Sequence, residues 1–114
     1  VVHCVKGTTG WKIRSEIAEA AAGKAGYTII DKPTFGSKEL GEYIRKLNDT
    51  EEPVEEITLA GLCTDICVIS NALLLKAFLP EVPIRVAGAC CAGVTPESHQ
   101  QALNAMKMCQ IEII

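Results

Sequence analysis

Short apolar segments alternate with helical segments along this chain, and that alternation constrains its fold more than any other feature. The apolar segments predict four strands, at Tyr27–Ile30, Ile57–Ala60, Ile84–Gly88 and Ile111–Ile114. The segments before and between them predict four helices, at Ser15–Ala22, Lys38–Leu47, Asp65–Leu79 and Pro96–Met108. Such alternation is typical of a parallel sheet covered by helices on both faces. The sequence therefore predicts an α/β fold with a three-layer, doubly wound parallel sheet.

Capping residues mark the predicted starts of the helices. Ser15 and Ser37 are predicted N-caps. Thr95 is a third, and Pro96 after it suits the first helical position. The helix at Asp65–Leu79 is apolar almost all round, which is typical of a helix buried on more than one side. It lies either inside the fold or at an interface between subunits, and we expect a homo-oligomer.

Size and composition limit the class of protein. The 114 residues correspond to one domain, and 48% hydrophobic with only 4% aromatic residues predicts an aliphatic core. The net charge is −3 and no basic stripe is present, which argues against binding to nucleic acid or to a membrane surface. Asn71 and Lys76 interrupt the longest apolar runs well short of the roughly 20 residues that cross a bilayer. We predict neither a nucleic-acid nor a membrane partner.

Six cysteines raise the question of a disulfide scaffold. Cys90 and Cys91 are adjacent and the others lie in apolar runs, which favours reduced thiols and a cytoplasmic protein. Cys63 and Cys67 also form a C-x3-C pair. Without a second cysteine or histidine pair nearby, this spacing is a weak zinc motif.

The segment from Ala60 to Val68 is the first candidate for chemistry. An apolar strand turns there, through small and capping residues, into a long apolar helix, and Cys67 falls in the first helical turn. A helix N-terminus carries partial positive charge and unpaired N–H groups, which favour a thiolate and can hold an oxyanion. Cys67 is therefore a candidate nucleophile. The alternative is a packed core thiol, since cysteine is among the most buried residue types.

Three other side chains are candidates for the same chemistry. Lys32 follows a predicted strand, at the sheet edge where parallel sheets gather their active groups. A cation beside a thiol favours the thiolate, whereas most lysines are solvated surface charges. His3 is the first candidate for a Cys–His pair, and His99, at a helix start, is predicted to be exposed or capping. The sequence brings neither histidine close to Cys67.

Several of these residues resemble the motifs of a known family. Gly61–Val68 resembles the nucleophile motif of the isochorismatase-like cysteine hydrolases, and Lys32, 35 residues before Cys67, matches their catalytic lysine. His3–Trp11 resembles a segment of the nicotinamidase branch. The resemblance implies a Rossmann-like sheet and an Asp–Lys–Cys triad, in which the cysteine forms a thioester and the aspartate moves the proton. It also implies a cis Leu62–Cys63 peptide that directs the amides of Cys63 and Cys67 into one oxyanion hole.

The resemblance also defines what these residues lack. The family's aspartate lies on its first strand and its metal motif follows the second, and neither region is present. His3 matches the last ligand of the divalent metal (Zn, Fe or Mn) of nicotinamidases, without its partners. We expect residues 1–114 to be the C-terminal two-thirds of the domain, without its first strands, and to be inactive or nearly so alone. Cys63 replaces a common alanine, and a Cys63–Cys67 disulfide under oxidation is a further hypothesis.

The predicted function is a nicotinamidase-like amidohydrolase that cleaves a small amide through a Cys67 thioester. One alternative keeps the fold and hydrolyses a vinyl ether without a cysteine nucleophile, as isochorismatases do. A second is an inactive interaction domain in which Cys67 belongs to the core. A redox or metal-binding C-x3-C module is a more distant alternative.

Overall fold

A three-stranded parallel sheet forms the centre of the computed structural model, which describes all 114 residues. The strands lie side by side in chain order, as β1 (Ile57–Leu62), β2 (Ile84–Ala92) and β3 (Glu112–Ile113). The helices are α1 (Ser15–Ala22), α2 (Lys38–Asn48), α3 (Ile69–Phe78) and α4 (Pro96–Met108), with a 3-10 turn at Thr9–Trp11 and a π-helical turn at Thr64–Val68. The predicted α/β class with a parallel sheet is confirmed.

The aliphatic core lies where α3 and α4 pack on the sheet. Its largest buried side chains come from both helices, from β2 and from the segment before β3: Leu75, Met106, Ile84, Val86 and Ile111. α3 also packs against α2, so the apolar helix is covered on several sides, as its composition predicted. None of the helices is long and apolar enough to span a membrane.

The pairing of β1 with β2 is interrupted just before the turn that carries Cys67. Ile57 to Leu59 pair in regular register, but the next pair joins Gly61 to Cys91, so β2 has extra residues at this point. Gly61 has φ +115°, a conformation that favours glycine. Such irregularities redirect the chain beside functional sites. The pairing of Gly61 and Leu62 also explains why β2 continues past the predicted end at Gly88.

Side-chain caps begin two of the helices as predicted. The Ser37 hydroxyl accepts a hydrogen bond from the Leu40 N–H at 3.1 Å. Thr95 and Ser98 cap one another, since each hydroxyl accepts from the other residue's N–H at 3.0 Å. The predicted N-cap at Ser15 is wrong by one residue. Ser15 is the first residue of α1, because the first N–H groups of the helix donate to the carbonyl of Arg14.

Two other expectations are corrected by the structure. Tyr27–Ile30 is not a strand: three of its four residues are exposed and no neighbouring strand pairs with its backbone, which a strand requires. The helix predicted from Asp65 begins instead as the π-helical turn. There the Val68 N–H donates to the Cys63 carbonyl at 3.0 Å, one residue further back than in an α-helix.

Two methionines of α4 provide a matched test of the core. Met106 has no exposed surface, whereas Met108 is 86% exposed. Met106→Ala is expected to lower the free energy of unfolding by about 2–5 kcal/mol, because it removes buried area and leaves a cavity. Met108→Ala is expected to change it by less than about 0.5 kcal/mol. Urea denaturation followed by circular dichroism measures both, and equal losses would contradict this packing.

Candidate active site

Lys32 and Cys67 meet at the carboxyl end of β1. The Lys32 Nζ donates to the Cys67 Sγ at 3.2 Å and to the Thr34 carbonyl at 3.3 Å. Lys32 comes from the loop before α2, and Cys67 from the π-helical turn that follows β1. An ammonium group at this distance attracts the negative charge of a thiolate. The contact thus joins the candidate nucleophile to a cation.

The pair opens into a small cleft of about 230 Å³. Its polar end is formed by Lys32, Cys67 and Asn71. The remaining walls are apolar side chains: Leu40, Leu59, Ala60, Leu62 and Val68. A concave apolar surface with a few converging polar groups is the usual form of a small-molecule site.

The backbone of the turn is closed by two hydrogen bonds to Cys63. The Cys63 carbonyl accepts from the N–H groups of Ile66 and Val68, at 3.1 and 3.0 Å. The Leu62–Cys63 peptide bond is cis in the structure. Cys63 and Cys67, which were predicted to supply the oxyanion hole, both belong to this turn region and are half-buried free thiols.

Asn71 connects the turn to the loop at Lys32–Ser37, called here the Lys32 loop, and only a weak signal in the sequence indicates this role. Its side chain is buried and forms three hydrogen bonds. Its Oδ1 accepts from the Ser37 N–H at 2.8 Å, and its Nδ2 donates to the carbonyls of Phe35 at 3.1 Å and Cys67 at 2.8 Å. The only signal in the sequence is a single amide within an apolar helix.

His99 does not match the prediction of an exposed or capping residue. It is half-buried, and its Nδ1 lies 2.7 Å from the hydroxyl of Thr64, which has no exposed surface. Gly93 packs closely against His99, and a Cβ at Gly93 would lie 2.9 Å from atoms of His99, so a larger residue would push His99 away. His99 thus contacts the turn three residues before Cys67 rather than the thiol itself.

Asp65 attaches the same turn to the start of α4. Its carboxylate accepts from the Val94 N–H at 3.2 and 3.3 Å. The nearby Ser98 side chain, together with the hydrogen bond from Val94, holds the pKa of Asp65 below its ordinary value. Because its carboxylate is engaged with α4, Asp65 serves here as a structural anchor of the turn.

The segment that begins with His3 lies beside Lys32 but forms no metal site. A second cleft is lined by Cys4, Lys6, Trp11, Asp31, Lys32 and Pro33. His3 is exposed, and no group of three or more His, Cys, Asp and Glu residues is arranged to hold a metal ion. Neither His3 nor the Cys63–Cys67 pair therefore has a ligand set of its own within these residues.

Comparison with known proteins identifies the family and relatives that share the fold. The isochorismatase domain model matches residues 1–114. The crystal structure of a nicotinamidase/pyrazinamidase from Bacillus subtilis is 25% identical, with a TM-score of 0.77 over 99% of this chain and 62% of that one. A pyrazinamidase/nicotinamidase from Streptococcus mutans is 25% identical, with a TM-score of 0.74 over 96% of this chain and 60% of that one.

A pyrazinamidase from Pyrococcus horikoshii, solved in complex with zinc, shares the fold at 23% identity. Its TM-score is 0.72, over 99% of this chain and 61% of that one. No curated protein matches the chain. The chain spans less than two thirds of the length of each of these three structures.

The lowered pKa of Asp65 predicts how its contribution to stability depends on pH. A carboxylate with a lowered folded-state pKa stabilises the fold above its unfolded pKa, and that stabilisation is lost as pH falls through the folded value. Asp65→Asn is therefore expected to lower the free energy of unfolding at about pH 7, and the difference is expected to narrow below the ordinary value of 3.8.

Urea denaturation of wild type and Asp65→Asn at neutral and acidic pH measures this difference. Glu55→Gln is the control, because Glu55 is exposed and forms no ion pair or hydrogen bond, and it is expected to leave stability at neutral pH unchanged. A loss in Asp65→Asn that stayed constant from neutral to strongly acidic pH would contradict the assigned role of the charge.

Proposed function

The chain belongs to the isochorismatase family of hydrolases, and on that basis we propose that it carries the nucleophile of a cysteine hydrolase that cleaves a small amide. The single observation that carries this proposal is the 3.2 Å contact between the Lys32 Nζ and the Cys67 Sγ. Because a core thiol has no need of an ammonium partner, this contact counts against the interaction-domain alternative.

The proposed reaction has two stages. The Cys67 thiolate attacks the amide carbonyl, and the tetrahedral oxyanion is held by the N–H groups of Cys63 and Cys67. The C–N bond then breaks, and ammonia leaves with the proton that a carboxylate has first taken from the Cys67 thiol. Water hydrolyses the resulting thioester to the carboxylic acid product and regenerates the thiol. In this scheme Lys32 holds the thiolate and its charge in place.

The form of the cleft supports a small substrate with an apolar body. Its volume of about 230 Å³ suits a molecule of one ring, and the walls are largely aliphatic. The solved relatives are described as nicotinamidases and pyrazinamidases. We therefore propose nicotinamide and pyrazinamide as the first substrates to test.

The general base is proposed to come from outside these residues. Lys32 has two hydrogen-bond acceptors, Thr34 and Cys67, and neither is a carboxylate. We propose that residues 1–114 are the C-terminal two-thirds of one hydrolase domain, whose triad aspartate lies elsewhere in the domain. His3 remains a proposed ligand of a divalent metal whose other ligands lie outside the chain. A cytoplasmic location, supported by the six free thiols, and a homo-oligomer complete the proposal.

Alkylation by iodoacetamide tests the nucleophile within this chain, and the other cysteines serve as internal references. Cys67 is half-buried whereas Cys109 is exposed. We nevertheless expect Cys67 to react faster at about pH 7, because the thiolate is the reactive form and the Lys32 ammonium group stabilises its charge. Lys32→Met is expected to slow Cys67 by roughly two- to fivefold, the factor that corresponds to an exposed ion pair.

Mass spectrometry of tryptic peptides gives each rate. Lys76→Met is the matched control, because Lys76 donates to the Pro80 carbonyl and is expected to leave Cys67 unchanged. Slow alkylation of Cys67 beside fast alkylation of Cys109 would favour the core-thiol alternative.

Ammonia release from nicotinamide or pyrazinamide tests turnover. In the protein that contains this chain and the triad aspartate, Cys67→Ala is expected to lower the rate by about 10³-fold or more, because the covalent intermediate is lost. We expect the 114 residues alone to hydrolyse neither amide measurably. Robust hydrolysis by these residues, or an active Cys67→Ala variant, would contradict the proposed triad.

A further inference from the structure

We infer that Asn71 is a positioning residue that holds the Lys32 loop against the Cys67 turn, an inference that rests on the proposed function. Lys32 is an exposed residue on a loop outside any helix or strand. Lysine side chains in such positions are usually mobile and solvated. The contact with the Cys67 Sγ therefore requires that the loop backbone be fixed by other bonds.

The Asn71 amide supplies those bonds from a buried position. Its Oδ1 accepts from the Ser37 N–H at 2.8 Å, and its Nδ2 donates to the Phe35 carbonyl at 3.1 Å, so it holds the loop on both sides of Gly36. Its second Nδ2 hydrogen bond, at 2.8 Å, goes to the carbonyl of Cys67 itself. Asn71 is 8% exposed, so water has little access to replace these bonds.

Two hydrogen bonds within the loop connect its fixed backbone to Lys32. The Thr34 hydroxyl donates to the Gly36 carbonyl at 2.7 Å, and the Thr34 carbonyl accepts from the Lys32 Nζ. At Gly36 the loop packs on α3, and a Cβ at this position would lie in van der Waals contact with the Ser70 Cβ, at 3.7 Å. Apart from the Lys32–Cys67 contact, the hydrogen bonds between this loop and the turn or α3 all involve Asn71.

The chemistry of the side chain makes the inference testable. Only a carboxamide offers two N–H donors and an oxygen acceptor in one planar group. Asn71→Asp keeps an acceptor for the Ser37 N–H and loses both N–H donors. This variant therefore retains the hydrogen bond at the start of α2 and loses those to Phe35 and Cys67. Asn71→Leu removes all three hydrogen bonds and keeps a branched side chain with the same number of heavy atoms.

The experiment compares the effect of Lys32→Met on Cys67 alkylation in three backgrounds: wild type, Asn71→Asp and Asn71→Leu. In wild type, Lys32→Met is expected to slow Cys67 by roughly two- to fivefold. In both Asn71 backgrounds, that factor is expected to fall to about one, because the loop no longer delivers the ammonium group to the sulfur. The readout is the ratio of the Cys67 alkylation rates without and with Lys32→Met, taken within each background. The added charge of Asn71→Asp changes both rates of its own pair.

Asn104→Asp is the matched control, because Asn104 is exposed on α4 and is expected to leave the Lys32 effect at its wild-type size. Circular dichroism selects conditions in which each variant is folded, and Asn71→Asp decides the question if Asn71→Leu does not fold. A full Lys32 effect in a folded Asn71 variant would overturn the positioning role of Asn71 and leave the proposed function intact. Absence of any Lys32 effect in wild type would overturn the proposed function as well.

Discussion

The π-helical turn at Thr64–Val68 is hydrogen-bonded to the segments on both sides of it, and the rest of the site depends on that double attachment. On one side, the Asn71 amide joins the Cys67 carbonyl to the Lys32 loop. On the other side, Thr64 and Asp65 are bonded to His99 and Val94 near the start of α4. Cys67 therefore has a fixed position relative to two loops at the same edge of the sheet.

The magnitudes of these interactions indicate which of them sets the geometry. An exposed ion pair is worth about 1 kcal/mol or less, so attraction between Lys32 and Cys67 is too weak to order the loop at Lys32–Ser37. A buried donor or acceptor left without its partner costs about 1–3 kcal/mol. Asn71 forms three such bonds and Thr64 one, all from buried side chains. The neutral polar groups thus hold the loops, and the contact of Lys32 with the sulfur follows from their positions.

The sequence predicted what depends on local chemistry and missed what depends on tertiary contact. The caps at Ser37 and Thr95 and the parallel sheet follow from residue types and their periodicity. Tyr27–Ile30 has the composition of a strand, but a strand also needs a partner for its backbone. The roles of Asn71 and His99 arise from residues about 35 positions away in the chain, which no local pattern encodes. The pairing of Lys32 with Cys67 was suggested by the position of Lys32 after a predicted strand and by the resemblance, and their catalytic roles remain predictions.

The hydrogen bonds that arrange Lys32 beside Cys67 all lie within these 114 residues, although the chain spans only 62% of the Bacillus subtilis structure. In the proposed reaction, the reactivity of the thiol and the turnover of an amide therefore have separate structural requirements. Reactivity requires the turn, the Lys32 loop and the Asn71 amide between them. Turnover additionally requires a group that moves a proton to the leaving amine. A chain of this extent thus allows the proposed nucleophile to be studied without the proposed general base, a separation that the non-additive behaviour of catalytic triads otherwise makes difficult.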